Sequence, residues 1–173
     1  MDQRLNEVVM GVCEQHSCRL YDLEVISGSR GKGRSLRIYI DKPGETVGLD
    51  DCALISNSLS VLLDAEDLMP GGEYTLEVSS PGLERKLREP WHFEQVVGSK
   101  VEVTLIEPVE GDNPGINEKL TAGRLKYTGN LLSVEAGGLS VLLDEGIKIT
   151  LPFVKVKRGK RLFETSKAPK KQK

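Results

Sequence analysis

The chain has 173 residues, 38% hydrophobic and 29% charged, with a net charge of −2. This is the composition of a globular protein of one or two domains, and it excludes a uniformly basic nucleic-acid-binding chain. No stretch approaches membrane-spanning length and the N-terminal MDQRLNEVVM has no long apolar run, so a cytoplasmic, membrane-free protein is expected.

Leu5, Val8, Val9, Val12 and Cys13 recur at helical spacing, and residues 3–16 read as an amphipathic helix. Tyr21, Leu23 and Val25 alternate with Asp22 and Glu24 to give a strand; Leu36, Ile38 and Ile40 give a second. The glycine-rich loop between them makes the pair a hairpin, closed by Asp41-Lys42-Pro43-Gly44. Gly48-Leu49-Asp50-Asp51 opens a second helix, its aspartates in the first turn where the helix dipole favours negative charge. Cys52, Ile55, Leu59 and Leu62 line its buried side to about Asp64. After Met69-Pro70-Gly71-Gly72, Tyr74, Leu76 and Val78 alternate with Thr75, Glu77 and Ser79 in a third strand. It stops at Ser80-Pro81-Gly82, where proline removes a ladder donor and glycine permits a tight turn. The order αββαβ predicts an α+β N-terminal domain over residues 1–90, two helices covering one face of a three-stranded sheet.

Beyond Pro90 the pattern changes. Trp91, Phe93, Val96 and Val97 form a short helix or turn. Strands follow at Val101–Ile106, Leu120–Tyr127, Leu131–Glu135, Leu139–Leu143, Ile147–Leu151 and Val154–Lys157. Short, closely spaced strands with glycine-rich turns indicate a small barrel or sandwich over residues 91–164. Residues 165–173 have no apolar periodicity and read as a disordered basic tail. From Lys155 onward nine Lys and Arg face Glu164 alone, +8, which leaves −10 for residues 1–154. The body is acidic and the tail basic, and the tail is either a solvated solubility aid or an RNA contact through Lys157, Arg158, Lys160 and Arg161.

Little in the chain supports catalysis. Ser79 and Ser80 would need a base within hydrogen-bond reach, and neither His16 nor His92 stands in a triad-like context. The nucleophile elbow, the Walker A loop and His-Glu-x-x-His are absent, and the glycines of the hairpin loop are no nucleotide fingerprint. Cys13, Cys18 and Cys52 are an odd number without zinc spacing and read as core residues. No cofactor, metal or small-molecule substrate is therefore expected.

Binding is better supported. Arg30, Lys32, Arg34 and Arg37 gather four cations within eight positions on a glycine-spaced loop suited to phosphate, with ordinary solvated charge as the alternative. Ser79, Ser80 and Gly82 form a compact turn followed by Arg85, Lys86 and Arg88, either a contact surface or a rigid linker. In that segment Pro81 and Leu83 read as linker, Arg85 and Arg88 as contacts and Leu87 as core. With aromatics at 5%, no stacking platform for reading single-stranded bases is evident.

The run LEVSSPGLERKL, residues 76–87, resembles the signature of the RimP family of bacterial ribosome maturation factors. Leu36–Asp64, LRIYIDKPGETVGLDDCALISNSLSVLLD, is similar to that family's second strand and second helix, and Pro90-Trp91-His92-Phe93 to its way into a C-terminal domain. The resemblance implies a second domain of the SH3/Sm-like barrel kind. It also implies a non-enzymatic factor that binds the immature small ribosomal subunit, assists protein and RNA placement and leaves before translation; a monomer that meets both ribosomal protein and rRNA is expected. The other reading is an Sm-like RNA-binding regulator acting on messenger or small RNA.

Overall fold

The computed structural model describes residues 3–27, 33–83, 85–109 and 121–163. The chain divides into two compact units, Met1–Pro81 and Gly82–Lys173.

In the first unit, helix α1 (Gln3–Gln15) buries Leu5, Val9, Val12 and Cys13. Its end is a Schellman motif: Ser17 lies at φ 57°, its N–H donates to Glu14 O at 3.0 Å, and Cys18 N–H donates to Cys13 O at 2.9 Å. A serine there carries left-handed strain that glycine avoids. Ser17→Gly is therefore expected to raise the stability of this unit by about 0.5–1 kcal/mol, read from denaturant midpoints. Burial pushes the Cys13 thiol up to about 12, as suits a packing residue rather than a nucleophile.

Strand β1 (Arg19–Ile26) pairs antiparallel with β2 (Arg34–Asp41), and β2 pairs parallel with β3 (Tyr74–Ser79) in an unbroken register from Arg34↔Tyr74 to Tyr39↔Ser79. The parallel pair needs a crossover, which helix α2 (Leu49–Ala65) provides. Leu36, Ile38 and Ile40 are fully buried in one core with Leu5, Val9, Ile55, Leu59 and Leu63, so both helices cover the same sheet face. Leu63, rather than the half-buried Leu62 expected from the sequence, closes the buried side of α2. The simple alternation expected of β1 is broken by a bulge between Leu20 and Asp22. Leu20 and Leu23 both pack on the core, whereas Val25 is 47% exposed.

Asp51 accepts a hydrogen bond from Gly48 N–H at 2.9 Å and one from Lys42 Nζ at 3.1 Å. These bonds, the backbone N–H first, hold its carboxyl below the usual value. The unfolded chain then binds the proton more readily, so this contribution is present above about pH 4 and is lost as pH falls. Asp51→Asn is expected to flatten the acid limb of a pH–stability curve.

The second unit begins earlier than residue 91, because Lys86–Leu87 forms a strand of its sheet. The order is β4 (Lys86–Leu87), helix α3 (Pro90–Glu94), β5 (Lys100–Leu105), β6 (Lys126–Glu135), β7 (Gly138–Leu143), β8 (Lys148–Pro152), a 3-10 turn (Phe153–Lys155) and β9 (Val156–Arg161). These six strands make one sheet in the order β4-β9-β5-β6-β7-β8, every neighbouring pair antiparallel. An α+β unit is thus followed by an all-β sheet. A single core gathers Leu87, Phe93, Val103, Tyr127, Leu139 and Val141, among others, with Phe93 edge-on to Phe153 at 5.5 Å. Two expectations are corrected. The break read near Gly129 lies inside the continuous strand β6, and the last strand runs on through Arg161 instead of ending at Lys157.

Candidate nucleic-acid interface

Three neighbouring strands build a cationic cleft on the second unit. Alternate residues of a strand face opposite sides, so one inward residue fixes where its neighbours lie. On β4 the inward residue is Leu87, fully buried, which turns Lys86 and Arg88 outward. On β9 it is Gly159, at which a Cβ would lie 2.5 Å from Phe93 Cζ and 3.0 Å from Leu87 Cβ. Arg158 and Lys160 therefore lie on the outer side. On β5 the inward residue is Val103, leaving Glu102 and Thr104 outward. These six outward side chains, with Gly159, line a cleft of about 570 Å³.

The register orders them. Lys86 lies opposite Lys160, which lies opposite Glu102; two residues along, Arg158 lies opposite Thr104 with Arg88 beside it. Rows on a strand face recur about every 6.6 Å, a step comparable with that between neighbouring phosphates of a nucleic-acid strand. Like charges directly across a ladder destabilise it, so the Lys86–Lys160 pair costs folding energy. Glu102 offsets part of that cost and is itself paired with Lys126 at 2.8 Å. The result is four cations facing one carboxylate, a surface that attracts polyanions.

The other expected contact residues are placed differently. Arg161 shares the face of Gly159, and its Nε is buried without a hydrogen-bond partner among the described residues. Lys157 is the extra residue of a bulge in β9 and is exposed. Arg85 donates to Gly82 O at 3.2 Å and to Gln95 Oε1 at 3.3 Å, and Gly82 lies at φ 73°. In the first unit Arg34 holds the loop before β3, donating to Gly72 O at 3.1 Å and Met69 O at 3.3 Å. Arg37 pairs with Glu77 at 2.7 Å across the sheet face away from the helices. Ser79 and Ser80 are exposed. Arg30 and Lys32, and the tail from residue 164, lie outside the described residues.

Both histidines are engaged elsewhere. His16 Nε2 is 3.1 Å from Ser58 Oγ, and the buried His92 accepts N–H bonds from Arg88 and Glu89 at Nδ1, 3.1 and 3.3 Å. His92 thus locks the backbone that presents Arg88. Sequence reading missed Glu102 and Thr104 in the cleft. The signal that could have found the cleft was the repeated cation–inward–cation triplet, Lys86-Leu87-Arg88 and Arg158-Gly159-Lys160.

Residues 8–84 match the family model of the RimP N-terminal domain. The first unit thus resembles a RimP N-terminal domain. The match indicates a family of ribosome maturation factors, and it covers the first unit from within α1 to the turn after β3. The cleft, which starts at Lys86, lies in the chain beyond the RimP match. No helix among the described residues is long and apolar enough to cross a membrane.

Proposed function

We propose that this chain is a RimP-like, monomeric assembly factor that binds the immature small ribosomal subunit and acts there without catalysis. The observation that carries the reading is the cleft of Lys86, Arg88, Arg158 and Lys160, which suits the phosphates of folded rRNA. Arginines grip phosphate in bidentate fashion and lysines supply compact charge at either side. Charge division supports a two-part contact. Residues 1–81 hold 14 Asp and Glu against 7 Lys and Arg, a net of −7, whereas residues 82–173 hold 12 against 17, +5. The acidic unit suits a basic ribosomal protein and the basic unit suits rRNA. One antiparallel sheet enclosing one core supports an SH3/Sm-like barrel for the second unit. The site of action would be the cytoplasm, where subunits are assembled.

The test is affinity for isolated immature small subunits against salt. Four phosphate contacts predict that log affinity falls with log salt at a slope of about −3 to −4. A flat response would remove the phosphate contact. Tighter binding to short unstructured RNA than to ribosomal particles would favour the regulator reading instead.

A further inference from the structure

Sheet edges offer unpaired N–H and C=O groups, and natural proteins blunt them with bulges, lysines, prolines or short length. Three of the four edge strands in the two units carry such devices. β1 has its bulge, β4 is two residues long, and β8 carries Lys148 and Pro152. β3 has none. It spans six residues with an unbroken register, contains no Lys or Pro, and its one charge, Glu77, is neutralised by Arg37. Among the described residues nothing pairs with its outer edge.

Beside that edge, β3 and the C-terminal half of α2 form a groove of about 480 Å³. Tyr74 and Leu76 supply a half-buried apolar floor, and Val61, next to the lining residue Ser60, is 70% exposed. Asp64 and Glu73 line the same groove and are exposed; Asp64 accepts the Tyr74 hydroxyl proton at 3.2 Å. Arg34 reaches the groove's end at Gly72 but is held there by the loop carbonyls. A nucleic acid would meet carboxylates here; a cationic peptide would meet its complement.

We propose that the β3 edge and this groove take an extended segment, rich in lysine and arginine, of a protein partner, which adds a fourth strand to the sheet. Main-chain bonds to β3 give affinity. Alternate side chains of the segment give specificity, apolar ones on Leu76 and Val61 and cationic ones at Asp64 and Glu73. The inference rests on the assembly reading only for the source of the segment, a basic ribosomal protein.

Hydrogen–deuterium exchange on the full chain tests it, with two probes: the salt-stripped proteins of small subunits, and protein-free small-subunit rRNA. The stripped proteins are expected to slow exchange across residues 74–79 at least tenfold and the rRNA to leave it unchanged. The pair Ser60→Lys and Glu73→Lys, both at exposed positions, adds two cations to the groove and removes one of its carboxylates, and is expected to abolish the slowing. Protection of the cleft by rRNA without protection of 74–79 by protein would overturn this inference and leave the phosphate reading standing. Protection of 74–79 by rRNA, or protection that survives the variant pair, would also overturn it. Absence of protection anywhere with either probe would remove both.

Discussion

Gly129→Ala is expected to destabilise the second unit by about 3 kcal/mol, a loss of roughly 12–24 °C in its melting transition. Gly129 lies opposite Leu143 in the β6–β7 ladder. A Cβ there would fall on the Leu142 carbonyl and within 2.7 Å of Leu143 Cα. Both obstacles are backbone, so the only relief is to part the two strands, and that exposes the core residues Leu131, Leu139 and Val141. Gly159→Ala should cost about 2–3 kcal/mol by a related route, since its Cβ would drive into the fully buried Phe93. Each unit has its own core, so the transition of the first unit should not move. Calorimetry of the full chain checks this, and an unchanged second transition would contradict the close strand approach at Gly129.

Lys86→Gln with Arg158→Gln is expected to weaken binding to small subunits on the order of 100-fold, about tenfold for each phosphate contact removed. The salt slope should fall by about 2. Stability should move the other way or not at all, by a few tenths of a kcal/mol, because the variant relieves the repulsion between Lys86 and Lys160. This opposition of signs separates a binding role from a structural one. Arg161→Gln, on the other face of the same strand, serves as the comparison and is expected to leave the salt slope unchanged. Filter binding across a salt series, paired with denaturant melts, reads both quantities.

The first unit was legible because its elements are one-sided. Leu36, Ile38 and Ile40, or Leu5, Val9 and Val12, repeat at the period of the element that buries them. What escaped there were backbone devices without a strong sequence signal. The bulge at Tyr21 inserts one residue and reverses the alternation after it. The ends of α1 and α2 use Ser17 and Asp67 at positive φ where glycine would have announced a stop. In the second unit glycine misled in the opposite direction. Gly129 looked like a turn because glycine usually marks one, whereas here it permits close approach of two strands. β9 was cut short because its inward position is Gly159. The volume a valine would have filled comes from Phe93 and Leu87, distant in sequence, so Lys-Arg-Gly-Lys-Arg read as the start of a tail. The same cause hid the cleft: its cations were each noted, but their convergence depends on the β4–β9 pairing, a non-local contact that no periodicity encodes. The cations Arg34 and Arg37 stood out equally in the sequence; the fold sets them in the first unit, on Gly72 and Glu77.

The most direct measurement is sedimentation of the full chain with cell lysate through sucrose gradients at low and moderate salt, alongside the Lys86→Gln/Arg158→Gln variant. The proposed assembly role predicts that the protein migrates with free small subunits and is absent from joined ribosomes, that moderate salt reduces this, and that the variant stays near the top. Native protein that remained at the top in both salts, or that travelled equally with joined ribosomes, would contradict it.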